Sequence, residues 1–238
     1  MEPPERVNRE GRERLYPSLT NPSWLVLRRR REIFQKWLAR LGARDLDVLD
    51  VGGRIQPYRP LLEGRLHRYV AIDLLRTQLV NIVARGEQIP LGSEQFDLVI
   101  CTQVLEYVPE PHLVIMEIHR VLKPGGRVFL SVPSISPRDA DNECWRFLPA
   151  QLRRLLVPFR DVEVLSEGGS ITGLFRSVNA CLNIFARYPR VRSLFRYTIF
   201  PAVNLLGLLF EGMSGSQNDQ FAANYSVYAQ KSGRDSTA

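Results

Sequence analysis

Apolar side chains first settle into a helical rhythm at Trp24, Leu27, Phe34, Trp37, Leu38 and Leu41, broken for one turn by Arg28 to Arg31. Asn21-Pro22-Ser23 supplies cap and first-turn chemistry for that helix and Gly42 stops it. Beyond it the period changes. Short apolar runs appear at Leu46–Val51, Arg68–Asp73, Val80–Ala84, Phe96–Cys101 and Val128–Val132, and they alternate with helical stretches. The clearest of these stretches runs from Pro111 to Leu122, where Lys123-Pro124-Gly125-Gly126 ends it. A short helix around Pro149–Leu156, a strand around Val162–Leu165 and a last strand over 223–231 complete the pattern.

Near-continuous apolar strands joined by helices mean a mostly parallel sheet buried on both faces. The expectation is therefore an α/β protein with a doubly wound, seven-stranded, mostly parallel sheet. Residues 1–20 are polar and aperiodic and read as a flexible arm, 21–44 as a helical lid, and 45–166 as the core. Residues 167–222 read as a helical insertion before the last strand, and 223–238 as that strand and a tail. The insertion holds an amphipathic helix (Ile171, Leu174, Phe175, Val178, Leu182, Phe185) and an uncharged run from Tyr197 to Phe210. That run is short for a spanning helix and contains Pro201 and Asn204. A buried helix over the mouth of the site is the first reading. A peripheral membrane contact through 187–213 is the second, because Arg187, Arg190, Arg192 and Arg196 lie beside the apolar run.

Charge changes this picture only in its distribution. The net +7 is carried by 29 arginines and three lysines against 25 acids. Residues 1–44 have a net charge of +6, 45–132 of −2, and 133–238 of +3. A basic face around the catalytic core, which nucleic-acid enzymes need, is missing, so no nucleic-acid partner is expected. Cys101, Cys144 and Cys181 are isolated and odd in number, which supports neither disulfides nor a metal site. With no apolar leader after Met1, a cytoplasmic and at most membrane-peripheral location is expected.

The chemistry gathers at the carboxyl ends of the first four strands, where doubly wound sheets hold their ligands. Asp50 closes the first strand and Gly52-Gly53 open the turn after it. Asp73 closes the second strand, where a carboxylate can accept both hydroxyls of a ribose. Arg54 and Pro57 stand where a dinucleotide fingerprint would need glycines. No base is evident. Asp139, Asp141 and Glu143 cluster after the fifth strand and are candidates for one. His67, His112 and His119 read as surface or structural. Trp145 and Arg146 read either as contacts to a sugar or phosphate or as packing at the sheet edge.

These positions resemble the class I S-adenosylmethionine-dependent methyltransferases of the small-molecule branch. The resemblance rests on Val48-Leu49-Asp50-Val51-Gly52-Gly53, Ala71-Ile72-Asp73, Gly86-Glu87-Gln88-Ile89-Pro90-Leu91, the run from Phe96 to Val108, and Glu117 to Gly126. It implies the Rossmann-like methyltransferase fold and S-adenosylmethionine as cofactor. Asp50, Gly52 and Gly53 would line its methionine part, Asp73 and Leu74 its nucleoside, Glu87 and Gln88 the adenine edge, and Thr102, Gln103 and Val104 the floor. Tyr107, where relatives often carry histidine, joins the candidates for catalysis.

A narrower resemblance, through Gln56-Pro57-Tyr58-Arg59, Ser131-Val132-Pro133 and Trp145 to Pro149, is to members from polysaccharide biosynthesis. It implies a small-molecule, glycan or lipid-linked acceptor. The family's loop usually has glycines at the positions of Arg54 and Gln56, and Arg85 stands where many relatives have an acid. The alternative is therefore a catalytically degenerate methyltransferase-fold protein that serves as a binding partner or scaffold.

Overall fold

The computed structural model describes residues 2–42, 44–137, 140–214 and 218–233. Seven strands form one sheet: β1 Leu46–Val51, β2 Leu66–Asp73, β3 Ile82–Val83, β4 Phe96–Thr102, β5 Leu122–Pro133, β6 Phe159–Ser166 and β7 Asn224–Lys231. Their spatial order is β3-β2-β1-β4-β5-β7-β6. All neighbours are parallel except β7, which runs antiparallel to both β5 and β6. The expected sheet is present, and its order reverses between β1 and β4. At that point Val51, Asp73 and Thr102 end side by side on one edge.

The helices depart from the expected alternation. Among the described residues, the only α-helix between β1 and β5 is α3, Pro111–Val121, in place of helical stretches after each strand. Pro57 and Pro60 hold the chain after the glycine turn to a short 3-10 turn, Arg59–Leu62. One face of the sheet is covered by α3, with Val114, Ile115 and Ile118, and by α4, Pro149–Leu155. The other face is left for the N-terminal segment.

Two helices occupy that segment, α1 Pro4–Leu15 and α2 Trp24–Leu41. Neither matches its expectation. Residues 4–15 are a helix, not a flexible arm: Val7 and Leu15, spaced at two turns, bury completely against the body. The helix at 24–41 is not a lid but the layer that replaces the missing crossover helix. Phe34 and Trp37 sit with Tyr58, Phe129 and Tyr228 in an aromatic cluster whose ring centroids lie 4.7–5.8 Å apart. Trp37 Nε1 donates to Glu163 at 3.1 Å. Asn21 accepts the Ser23 amide at 2.8 Å, as a residue at a helix entrance does.

The arginine turn that interrupts the apolar stripe has a cause visible only in three dimensions. Arg30 is buried against Glu167, 2.9 Å away through both Nε and Nη2. Glu167 also accepts Ser131 Oγ at 2.6 Å and Ser226 Oγ at 2.7 Å, and Gln103 donates to Ser131 at 3.3 Å. One polar network thus ties α2 to β5, to β7 and to the loop after β4.

The insertion consists of α5 Ser170–Leu182, α6 Pro189–Leu194 and α7 Phe200–Ser214; a π-helical stretch, Phe195–Ile199, joins the last two. It leaves the sheet where β6 ends and returns where β7 begins. Because β6 runs with the parallel strands, that is the edge at which Val51, Asp73 and Thr102 end.

Candidate active site

A cavity of about 510 Å³ opens at this edge, within the size range of ligand sites. Its wall is built by Val51 and Gly52 after β1, Ile72 to Leu75 after β2, Ala84 to Glu87 after β3, and Thr102, Gln103, Val104, Tyr107 and Val108 after β4. Glu10 and Arg14 of α1 and Asn142 close it from outside.

Gly52 is the position where a side chain is impossible. Its φ is +78°, and a Cβ there would lie 2.2 Å from Val104 Cγ2. The backbone therefore approaches the cavity floor directly, while the Gly52 and Gly53 amides donate to Ile72 O at 2.9 and 3.0 Å. Asp73 accepts the Leu75 amide at 2.8 Å on one carboxylate oxygen and the Arg54 amide at 3.2 Å on the other. Each oxygen keeps a further lone pair. Burial pushes the Asp73 carboxyl above its usual range, and those amides pull it partly back. Leu74 and Leu75 beside it are 62% exposed, an apolar surface that a flat ring can cover.

The residues expected around a cofactor are thus partly assembled. Gly52, Asp73, Leu74, Glu87, Thr102, Gln103 and Val104 border the cavity. Asp50, Gly53 and Gln88 do not. Asp50 lies behind the turn, buried and hydrogen-bonded at 2.6 Å by Tyr69 OH, and burial raises its carboxyl to about 7. Gly53 packs between Asp50 and Ala71, and Gln88 is exposed beyond the rim. The cavity chemistry nonetheless fits S-adenosylmethionine. It offers a carboxylate at the ribose position, a side-chain-free turn and an apolar shelf.

Of the two positions where the family's loop usually has glycine, only Gln56 has a positive φ. Arg54 needs no left-handed backbone; Gln56 does, at φ +43°. Gln56 is buried and bonded to Leu79 O and Arg59, which offsets the local strain. Arg54 itself borders the cavity, but its guanidinium is already engaged. It pairs with Glu2 and with Glu10, 2.6 Å away, and pins α1 onto the loop. Gly11 lets the helix come this close, since a Cβ there would sit 2.5 Å from Ile55 O. The cover over the cavity is therefore α1, the segment expected to be a flexible arm, and no described residue of 21–44 or 167–222 lines it. Arg85 borders the cavity and lies 3.5 Å from Glu87.

Of the four candidates for catalysis, Tyr107 lines the cavity. Asp139 lies outside the described residues. Asp141 is exposed, and Glu143 is held at 2.6 Å by Arg146, whose Nε and Nη1 also donate to loop carbonyls. Trp145 packs at the sheet edge and donates to Val108 O at 2.9 Å, so the packing reading holds for it.

Pattern reasoning passed over one carboxylate. Glu106 is buried, and its Oε2 has no hydrogen-bond partner among the described residues. Burial raises its carboxyl from 4.5 to about 8, so it is protonated at neutral pH. Because the folded value is raised, the stabilisation linked to this proton is complete below about 4.5 and is lost as the pH climbs through about 8. Glu106→Gln should remove that slope. Between pH 6 and pH 9 the wild type should lose roughly 1–3 kcal/mol relative to the variant. Melting curves at the two pH values check this, and parallel slopes would mean that the group is ionised throughout.

The strand order and the cavity at the topological switch define a class I methyltransferase fold. Solved structures share it. A methyltransferase from Archaeoglobus fulgidus superposes with a TM-score of 0.52 at 14% identity, over 84% of this chain and 94% of that one. The phosphoethanolamine N-methyltransferase 2 of Haemonchus contortus does so at 0.54 and 15%, over 83% and 51%. The [4+2]-cyclase SpnF does so at 0.55 and 17%, over 85% and 81%.

In sequence, residues 49–130 match the methyltransferase domain family. The ubiquinone biosynthesis O-methyltransferase of Pseudomonas aeruginosa is 40% identical over 82 residues, covering 33% of each chain. Its counterpart from Pseudomonas putida is 37% identical over 79 residues, again 33% of each. The chain thus spans 33% of the length of these relatives in the matched region.

Proposed function

We propose that the protein transfers a methyl group from S-adenosylmethionine to an oxygen or nitrogen of a small molecule, with a glycan or lipid-linked precursor as the acceptor class. The observation that carries this reading is the Asp73 carboxylate, anchored by two amides at the end of β2 and bordering a cavity with a side-chain-free turn at Gly52. The O-methyltransferases matched in sequence favour oxygen as the acceptor atom. The arginine-rich, apolar insertion on the same edge favours a lipid-linked acceptor.

Bound S-adenosylmethionine would supply a methyl group activated on a sulfonium centre for in-line displacement. This chain's part is to position and enclose. Asp73 would accept the ribose hydroxyls, Leu74 and Leu75 would cover the ring, and Gly52 would leave room for the chain of the cofactor. Gln103, at φ +56° with its backbone N–H donating to Ser131 O at 2.8 Å, fixes the floor. Tyr107 is the hydroxyl at hand for the acceptor. Glu10 and Arg14 of α1 border the cavity on its outer side, and positioning supplies most of the acceleration in such a displacement.

Adenosylhomocysteine should raise the melting temperature. At a hundredfold excess over its Kd the gain is about 2.7 kcal/mol, or roughly 5–10 °C for a chain of this size. Transfer of radiolabelled methyl to a lipid-extractable or glycan fraction tests the acceptor class. The SpnF neighbour shows why the binding assay comes first: this fold also carries a cyclase. Arg85 on the cavity wall favours the scaffold alternative. Absence of any shift at millimolar ligand would leave that alternative standing.

A further inference from the structure

We infer that the insertion is a membrane-docking face that seats the protein on an anionic lipid surface, with the long helix lying in the plane of the headgroups. From 168 to 210 the chain has five arginines and no acidic residue. Arg187, Arg190, Arg192 and Arg196 are exposed, and none forms an ion pair among the described residues. Arg187 precedes, and Arg190, Arg192 and Arg196 occupy the N-terminal end of, a continuous helix, Pro189–Met213, of 25 residues, apolar enough in its length to cross a membrane. Only 17% of its most apolar stretch is buried inside the protein. Leu205, Leu209 and Met213, spaced by four, form an exposed row at 52%, 59% and 74%. A continuous apolar surface with unpaired cations at one end matches acyl chains beneath anionic headgroups.

The opposite face of the helix decides between lying on a membrane and crossing it. Asn204 is fully buried; its amide donates to Leu19 O at 2.8 Å and Asn21 O at 3.0 Å and accepts from Asn179 at 2.9 Å. Gly207 packs so closely that a Cβ would meet Leu25 at 2.7 Å. To span a bilayer, the helix would have to break these bonds and carry Asn204 into hydrocarbon. Bound to α2 on one side, it can only offer its other side. A second copy of the chain is a poorer occupant, because a two-fold contact would bring four more arginines to a helix whose one acid, Glu211, is already bonded to the Gly169 and Thr172 amides. The sheet edge from which the insertion springs is also the edge that holds the cavity, so docking would turn the cavity mouth toward the bilayer.

The test is flotation of the full chain with phosphatidylcholine vesicles, with and without phosphatidylglycerol, at low and high salt. Binding to the anionic vesicles only, weakened by salt, is expected. Arg190→Glu/Arg192→Glu and, separately, Leu205→Asn/Leu209→Asn should each weaken it by about tenfold while melting as the parent does. No association with anionic vesicles, or variants that bind as the parent does, would overturn the inference. So would protein that stays with the membrane through alkaline carbonate, or a stable dimer that ignores lipid. Adenosylhomocysteine binding, measured in parallel, separates this result from the methyl-transfer reading, since neither depends on the other.

Discussion

Asp73→Ala should abolish the thermal shift produced by adenosylhomocysteine. The Asp73 carboxylate borders the cavity at the end of β2 and has a free lone pair on each oxygen after receiving the Arg54 and Leu75 amides. A vicinal diol donating to both oxygens makes two charge-assisted bonds. At roughly 1.5–3 kcal/mol each they account for a loss of at least about a hundredfold in affinity. The apo protein should lose much less, about 1–2 kcal/mol, because exposed turn amides recover water. The contrast is the diagnostic part. A variant that melts near the parent temperature and shows no shift locates the effect in ligand binding. A variant that still shifts normally would remove Asp73 from the site. Asp73→Asn, with one acceptor oxygen in place of two, should fall between. Affinity should also weaken as the pH drops through the raised Asp73 value, since the neutral carboxyl gives up the charge assistance.

Arg30→Ala should be the most destabilising single substitution in the N-terminal half. Burial alone would lower the Arg30 guanidinium's pKa; Glu167 outweighs it and holds the charge in place. Removing Arg30 leaves Glu167 as a carboxylate with no solvent access and only the Ser131 and Ser226 hydroxyls for company. A half-broken buried pair costs about 3–5 kcal/mol, which for a chain of this length lowers the melting temperature by roughly 10 °C. The double change Arg30→Met/Glu167→Met should recover most of this, since an apolar pair of similar volume owes no desolvation. If the two single changes and the double change were additive, the coupling would be absent. Gln103 leans on Ser131 of this network, so Arg30→Ala should also weaken adenosylhomocysteine binding at temperatures where the fold persists.

Some of this was legible in the chain and some was not. Asp73, Gly52 and the Thr102–Val104 turn could be picked out because each ends an apolar run, and strand ends in a parallel sheet share an edge. Asp50 and Gly53 satisfied the same pattern yet lie behind the cavity, because a turn has two sides and spacing does not say which one faces out. The contributions of α1 were out of reach. Glu10 and Arg14 sit in a polar stretch with few apolar positions, and only the docking of Gly11 on Ile55 and the Arg54 pairs give that stretch a place. Arg30 looked like a defect in an apolar stripe because its partner is Glu167, far along the chain. Glu106 was hidden in an apolar run whose burial, not its composition, sets its protonation.

By itself, then, the sequence determined the sheet, its parallel sense and the edge that holds the cavity. Those follow from the period of apolar residues and from where glycine and aspartate interrupt it, which are local properties of the chain. Only the tertiary structure decided which helix fills the sheet's second face, which covers the cavity, and which apolar face remains without a partner. Those depend on pairs such as Arg30–Glu167, Gly11–Ile55 and Asn204–Leu19. Such pairs join distant segments, and no local pattern records the shape that brings them together.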